Sequence, residues 1–136
     1  MKSYIRYDAS SLPSGVGLTV AGARRSDGNA GHLCFGPYVQ LEQGDYVAGF
    51  RVRRMNEFGD RVIDVDVLLD GEHLAAKKTL KGDEILENVH GLIHFDFRVE
   101  KPTSVAEVRL YVPQDTIVEV LDLTIFRARP RNWSGQ

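Results

Sequence analysis

The sequence predicts an all-β protein, an antiparallel β-sandwich or jelly roll of about eight or nine short strands. Apolar and polar residues alternate with period two over most of the chain, which places successive side chains on opposite faces of a sheet. Gly, Pro, Asn and Asp residues separate these alternating stretches at short intervals, as turns do in sandwiches and jelly rolls. The only helical pattern is too short to be stable by itself. The order of the strands in the sheets does not follow from the pattern.

The length and composition indicate one domain. The chain has 136 residues, of which 43% are hydrophobic and 26% are charged, close to the average of globular domains. A chain of this kind can bury a core. We expect a sandwich domain over residues 1–126 and a C-terminal tail or linker over residues 127–136.

The first half of the chain contains one long predicted strand, at residues 46–54. Its apolar residues, such as Phe50, alternate with the charged Arg51 and Arg53, as expected of a strand with one buried face. Phe35 and Tyr38 are expected to lie in the core. Shorter strands are predicted at residues 4–7, 17–20, 32–35 and 38–41.

The second half of the chain is more regular. A hairpin turn is predicted at Asp70-Gly71, and one strand is expected to end at Lys101-Pro102, because proline cannot donate to a ladder. The alternation changes phase near Val120, which predicts a bulge there. A single helical turn is predicted within residues 82–89, and strands are predicted at residues 63–69, 93–99, 106–112 and 117–126.

Two polar surfaces are predicted on the sheet. If the strands at 46–54 and 63–69 pair, Arg51 and Arg53 face Asp64 and Asp66 across the ladder. A second patch could suit a polar ligand or another subunit, but a solvated, salt-bridged sheet face is the favoured interpretation. This patch consists of His94, Asp96, Arg98, Glu107, Arg109 and Tyr111.

The charge and the apolar runs argue against two classes of partner. Seventeen Lys and Arg against 19 Asp and Glu give a net charge of −2, so no nucleic-acid partner is expected. Apolar runs of only a few residues predict no membrane partner, and no apolar signal core is visible, so a cytoplasmic location is expected. Cys34 is the only cysteine, which excludes an internal disulfide.

Enzyme signatures are missing from the sequence. It has no G-x-S-x-G elbow, no Walker loop, no G-x-G-x-x-G and no H-E-x-x-H. His90 and His94 have a zinc-like spacing, but on a strand they would lie about 13 Å apart. A cupin-like jelly-roll enzyme is a minor alternative because its H-x-H metal pair is absent. We therefore predict that the protein is not an enzyme. The four histidines are His32, His73, His90 and His94.

Two segments carry a family resemblance. Residues 31–52 read GHLCFGPYVQLEQGDYVAGFRV, in which L-x-x-G-x-Y opens a long strand, and residues 120–125 read VLDLTI. These segments resemble the β-sandwich carbohydrate-binding modules of families 6, 35 and 36, including accessory modules beside glycan-synthesis enzymes. The resemblance implies non-catalytic binding of a glycan or polysaccharide by loops at one end of the sandwich, next to a neighbouring catalytic domain. No cofactor is required, although many members hold a structural calcium ion.

The richest polar loop lies at residues 23–31. Arg24, Arg25, Asp27 and Asn29 could bind sugar hydroxyls or a sugar carboxylate, and the alternative is a flexible turn whose Gly, Asn and Asp tolerate unusual backbone angles. The resemblance also suggests Trp133 as a ligand-binding residue, with a packed or mobile tail residue as the alternative.

Calcium is the one metal that the resemblance implies. It would place Asp8 and Asp122 near the ion. Calcium takes six to eight oxygen ligands, and the sequence identifies no third acidic ligand. Asp122 lies on the outward phase of its strand, so an ordinary exposed aspartate is the alternative.

A second function, from a different class, is a protein-interaction or assembly module without sugar binding. It would position a neighbouring domain or form an oligomer through a sheet face. The predicted consequence is a defined protein partner or a stable dimer, and no affinity for glycans.

Overall fold

The computed structural model describes residues 4–128, which form nine strands and two 3₁₀ turns. Every strand pairing is antiparallel, so the predicted antiparallel all-β fold is confirmed. The turns are Ala9–Ser11 and Gly82–Glu84. The strands are β1 (Tyr4–Asp8), β2 (Leu18–Val20), β3 (Ala23–Arg25), β4 (Gly31–Cys34), β5 (Pro37–Arg54), β6 (Val62–Leu69), β7 (His73–Lys81), β8 (Gly91–Val112) and β9 (Val118–Arg127).

The strands form two layers, as the register shows. In the first layer, the second part of β5 lies between β9 and the first part of β8, and β1 and β3 pair with the other edge of β9. In the second layer, the last part of β8 pairs with β6, which pairs with β7. β4 and the start of β5 pair with the opposite edge of that part of β8.

Two long strands belong to both layers. Residues 37–42 of β5 pair with residues 103–107 of β8, and residues 44–52 pair with 91–99. Between these stretches the register shifts, and residues 100–102 have no partner on β5. The prediction that a strand ends at Lys101-Pro102 is therefore wrong. The proline lies in the unpaired stretch, where it removes no ladder hydrogen bond and the chain passes extended from one layer to the other.

The core lies between the layers and draws on both. Buried alternate residues of β5, β6, β8 and β9 join one apolar cluster, which includes Phe50, Val65, Val108 and Leu123. Tyr38 does not belong to it: its side chain is exposed and its hydroxyl donates to Glu107, so the core prediction for Tyr38 is wrong.

The predicted bulge in β9 is confirmed at Leu121. Arg51 pairs with Asp122 and Val52 pairs with Val120, so Leu121 has no partner on β5. The bulge explains the change of phase, because it lets Val120 and Leu123 both face the core. It also leaves two acidic side chains of β9, Glu119 and Asp122, on the outer face of the first layer.

Three smaller expectations can be compared with the structure. The hairpin at Asp70-Gly71 is confirmed, with left-handed φ angles of 56° and 73° joining β6 to β7. The predicted helical turn is the 3₁₀ turn Gly82–Glu84. The last strand continues to Arg127, one residue into the predicted tail, and residues 129–136 lie outside the described part. No helix within residues 4–128 has the length and hydropathy to span a membrane.

Candidate functional site

The predicted polar loop begins with two arginines that the structure ties to the protein itself. Nη2 of Arg24 donates to the backbone oxygens of Ser10 and Leu12, at 3.2 and 3.0 Å. Arg25 donates from Nε and Nη2 to one carboxylate oxygen of Glu119, at 3.0 and 2.7 Å. Arg24 therefore binds the backbone of a neighbouring turn, and in this way it stabilises the loop.

The two other predicted loop residues face solvent. Asp27 and Asn29 are exposed, and Oδ1 of Asp27 accepts the backbone N–H of Asn29 at 3.1 Å, which closes a short local turn. Among the hydrogen bonds of residues 4–128, none engages the side-chain amide of Asn29 or Oδ2 of Asp27. These groups are therefore not engaged by other described residues. The predicted ligand residue Trp133 lies outside the described residues.

The loop is fixed to the end of the sandwich at both of its sides. The buried Ser26 hydroxyl donates to the backbone oxygen of Thr116 at 2.8 Å, and the N–H of Asp115 donates to the backbone oxygen of Gly28 at 2.9 Å. Arg61 in turn donates to the backbone oxygen of Asp115 at 2.8 Å. These bonds hold the backbone on both sides of Asp27. Gly28 has a left-handed φ of 93°, as the alternative of a turn that tolerates unusual backbone angles expects.

Next to this loop, the outer face of the first layer carries a cluster of ion pairs. We call it the arginine–carboxylate cluster, and it has two halves. In the first half, Arg6 and Arg51 hold Asp122. Nε of Arg6 lies 2.8 Å from Oδ2 of Asp122, and Nε of Arg51 lies 2.8 and 3.0 Å from its two carboxylate oxygens. The cluster consists of Arg6, Arg25, Arg51, Arg53, Asp122 and Glu119.

The second half is built around Glu119. One carboxylate oxygen accepts Arg25, and the other accepts Nε of Arg53 at 3.1 Å and lies 2.9 Å from Nε2 of His90. Arg53 stands beside Glu119 because their backbones are register partners on β5 and β9. The bulge at Leu121 separates this half from the half around Asp122.

Burial and ion pairing act in opposite directions on the two carboxylates. Burial by itself raises the pKa of Asp122, but hydrogen bonds from Arg51 and the charges of Arg51 and Arg6 lower it below its usual value. Burial likewise raises the pKa of Glu119, and hydrogen bonds from Arg25, Arg53 and His90 outweigh it and lower the pKa. Both groups are therefore charged at neutral pH.

The cluster replaces a pairing that the sequence pattern had suggested. Arg51 and Arg53 do not face Asp64 and Asp66, because β5 lies between β8 and β9 and β6 belongs to the other layer. Asp66 instead binds Arg109, and Asp64 accepts the hydroxyl of Thr79. The phase change in the last strand predicts the bulge, but no signal in the sequence indicates that β5 lies beside it.

Asp8 and Asp122 are register partners on β1 and β9, but the groups around them do not fit calcium. Asp122 is buried rather than exposed, and its oxygens already accept both arginines of its half. Nη1 of Arg6 also lies 2.8 Å from Asp8. A cation between these carboxylates would displace a guanidinium. Within residues 4–128, no three His, Cys, Asp or Glu side chains are grouped to hold a metal ion.

The predicted second patch is divided between the layers. His94 and Asp96 lie on the part of β8 that pairs with β5 in the first layer, whereas Arg109 and Tyr111 lie on the part that pairs with β6. Arg109 binds Asp66 with two bonds, at 2.7 and 2.9 Å. The six residues therefore do not form one continuous patch.

Comparison with known proteins adds the fold relationship. No family model matches the sequence, and no curated protein matches it either. Solved structures do match. The module CBM6cm-2 of Cellvibrio mixtus lichenase 5A, in complex with cellotriose, superposes with a TM-score of 0.57 and 8% identity over 92% of this chain and 98% of that one. The chain has the β-sandwich fold of carbohydrate-binding modules. The resemblance to these modules is thus confirmed for the fold.

Two further carbohydrate-binding modules match equally broadly. The CBM36-1 domain of a multidomain xylanase from the hindgut metagenome of Trinervitermes trinervoides has a TM-score of 0.55, 14% identity, and coverage of 93% of this chain and 99% of that one. A family 35 module from Clostridium thermocellum has a TM-score of 0.56, 12% identity, and coverage of 93% and 100%. Each of the three matches covers almost all of this chain and almost all of the matched module.

Proposed function

We propose that the protein is a non-catalytic module that binds a glycan or polysaccharide. The observation that carries this proposal is the match of nearly the whole chain to nearly the whole of several carbohydrate-binding modules, one of them in complex with cellotriose. Because a fold can host unrelated functions, the proposal also needs a surface that suits a sugar. The loop at residues 26–30 supplies one.

The loop supports the proposal through its polar groups. A sugar is held by fixed hydrogen-bonding groups that match its hydroxyls. Asp27 offers a free carboxylate oxygen and Asn29 offers a side-chain amide, and both sit on a loop that Ser26 and Asp115 fix to the body of the sandwich. We propose that these two side chains bind hydroxyls of the glycan, with Arg25 at the edge of the site and Arg24 as a support.

The test is an array of neutral glycans, including β-glucan, xylan and mannan oligosaccharides, followed by calorimetry on each hit. We expect a dissociation constant in roughly the micromolar to millimolar range, because one small polar site contributes few contacts. The double variant Asp27→Ala, Asn29→Ala is expected to abolish binding. A matched control is Asp83→Ala, Asn88→Ala, which removes the same two side-chain types from an exposed loop elsewhere.

Each outcome is informative. Binding that the loop variant loses and the control variant keeps supports the proposed site. Binding that both variants keep would move the site away from residues 26–30. An array without hits would contradict the sugar-binding proposal and favour the interaction module, which size-exclusion chromatography with light scattering then tests.

A further inference from the structure

The arginine–carboxylate cluster presents mainly positive charge to solvent. Its two carboxylates are almost completely buried, with 1% of the Asp122 side chain and 7% of the Glu119 side chain accessible. Its four arginine side chains remain 29–44% accessible. A ligand on this face therefore meets four guanidinium groups and, beside Arg6, the exposed carboxylate of Asp8, although the chain as a whole has a net charge of −2.

The buried carboxylates orient these guanidinium groups and leave part of three of them free, whereas all three nitrogens of Arg6 are paired with Asp122 and Asp8. Arg51 binds Asp122 through Nε and Nη2, and Arg25 binds Glu119 through the same two atoms. Arg53 uses only Nε. Within residues 4–128, no hydrogen bond engages Nη1 of these three arginines. An arginine held on one side by a carboxylate has lost much of its side-chain freedom, so binding an anion with its free N–H groups costs less entropy.

An exposed aromatic pair lies on the same face. Tyr4 and Phe126 are register partners on β1 and β9, and Arg6 and Thr124 are the next pair on that face. The side chains of Tyr4 and Phe126 are 57% and 38% exposed. Aromatic rings of this kind bind the apolar side of a sugar ring. The face thus combines a sugar-stacking surface with a row of arginines.

We propose that this face binds an anionic polysaccharide, with the arginine–carboxylate cluster taking its carboxylate or sulfate groups and Tyr4 and Phe126 contacting its sugar rings. The two halves of the cluster lie about 7 Å apart along β5, two residues of a strand, and so suit a chain that carries more than one acidic group. The inference specifies the ligand class of the proposed module and rests on that function, but its surface differs from the loop at residues 26–30.

The test compares ligands that differ in charge. Polygalacturonate is paired with its fully methyl-esterified form, and dextran sulfate is paired with dextran. We expect the wild-type protein to bind at least one anionic member of a pair and to bind its neutral counterpart at least tenfold more weakly. Raising the salt concentration from 20 to 500 mM is expected to weaken only the anionic binding. The two pairs distinguish a carboxylate from a sulfate as the preferred group.

The decisive variant is Arg6→Gln, Arg53→Gln. It removes two positive charges but leaves each buried carboxylate a two-point arginine partner, Arg51 for Asp122 and Arg25 for Glu119. We expect affinity for the anionic ligand to fall about tenfold or more, because a charge-assisted contact of Arg53 is lost and the positive charge of Arg6, whose nitrogens are held by Asp8 and Asp122, is removed from the face. The control Lys77→Gln, Lys101→Gln makes the same charge change away from the cluster and is expected to keep binding within about twofold.

Several results would overturn the inference, and they are distinguishable from failure of the proposed function. Equal binding to the charged and neutral members, or equal losses in both double variants, excludes a site at the cluster. Tighter binding to a single-stranded DNA oligomer than to either anionic polysaccharide assigns the face to a phosphate backbone instead. If the protein binds neutral glycans through Asp27 and Asn29 but binds no anionic ligand, the proposed glycan-binding function is supported and this inference is wrong.

Discussion

Replacing Arg51 by Met tests whether the buried carboxylate of Asp122 depends on its arginine partners. Nε of Arg51 lies 2.8 and 3.0 Å from the two oxygens of Asp122, and Nη2 also contacts the carboxylate. The methionine keeps most of the aliphatic stem but cannot donate. Asp122 would then retain Arg6 alone, through Nε and Nη2.

The expected cost follows from the burial of the carboxylate. Leaving a buried charge without a partner costs about 3–5 kcal/mol, and a hydrogen bond to a charged group contributes about 1.5–3 kcal/mol. Because Arg6 remains and Arg51 is itself 44% accessible to solvent, we expect a loss of about 2–3 kcal/mol in the free energy of unfolding. At about 4 °C per kcal/mol for a domain of this size, the Tm should fall by roughly 8–12 °C.

The same change should depend on pH in a defined direction. The folded-state pKa of Asp122 is lowered, so its ion pairs stabilise the fold above the unfolded pKa of about 3.9 and lose this effect as the pH falls through the folded value. Removing Arg51 raises that folded pKa. The difference in the free energy of unfolding between wild type and variant should reach its full value at pH 7 and should decrease progressively below about pH 5.

Urea unfolding at pH 7 and at pH 3.5 measures both expectations. The matched control is Arg98→Met, because Arg98 pairs with Asp45 at 2.8 Å but both side chains are exposed. We expect the control to destabilise the fold far less than Arg51→Met, because solvent screens an exposed ion pair. Two results would refute the argument that the buried carboxylate determines the loss of stability. The two variants could lose equal free energy of unfolding, or Arg51→Met could lose the same amount at both pH values.

Three further predictions follow from local geometry. A Cβ at Gly17 would lie 2.6 Å from the backbone oxygen of Arg25 and from Leu33, whereas a Cβ at Gly22 meets nothing within 4 Å, and both residues have left-handed φ angles. Gly17→Ala should therefore lower stability by about 1–3 kcal/mol more than Gly22→Ala, and equal losses by urea unfolding would contradict this. Burial raises the pKa of the Cys34 thiol to about 12, so a thiol reagent should label it only in denaturant, and rapid native labelling would be inconsistent with the core. Calcium or a chelator should change the Tm by less than about 1 °C, since arginines occupy the carboxylate oxygens that the ion would need, and a clear rise with calcium would reopen that site.

The elements of the fold were largely predictable because they are encoded locally. The alternation in residues 46–54 and 63–69, the Asp70-Gly71 turn and the phase change near Val120 each depend on residues that are close in the sequence. The prediction of a strand end at Lys101-Pro102 was wrong for the opposite reason, because it depends on residues that are distant in the sequence. Whether a proline breaks a strand depends on whether its position needs a ladder partner, and the register with β5, about 60 residues earlier in the chain, leaves residues 100–102 without one.

The site could be predicted only in part. A loop rich in Gly, Asn and Asp predicts an exposed turn, and the structure leaves Asp27 and Asn29 exposed, whereas their role in binding stays a prediction. The cluster around Asp122 and Glu119 was missed, and Arg51 and Arg53 were assigned to the wrong acids. The alternation pattern shows that a charged side chain faces outward, but it does not show which strand lies beside it. The sequence therefore could not indicate which acids pair with Arg51 and Arg53.

The sequence alone determined which residues extend, which face of each strand is apolar and where the chain turns, since side-chain alternation and turn chemistry act over a few residues. The tertiary structure decided which strands lie side by side. That decision turned Asp122 from an expected surface aspartate into a buried group between Arg6 and Arg51, and it gathered four arginines from β1, β3 and β5 onto one face. Long-range pairing is set by how all the strands bury their apolar faces together, a property of the whole chain and not of any segment.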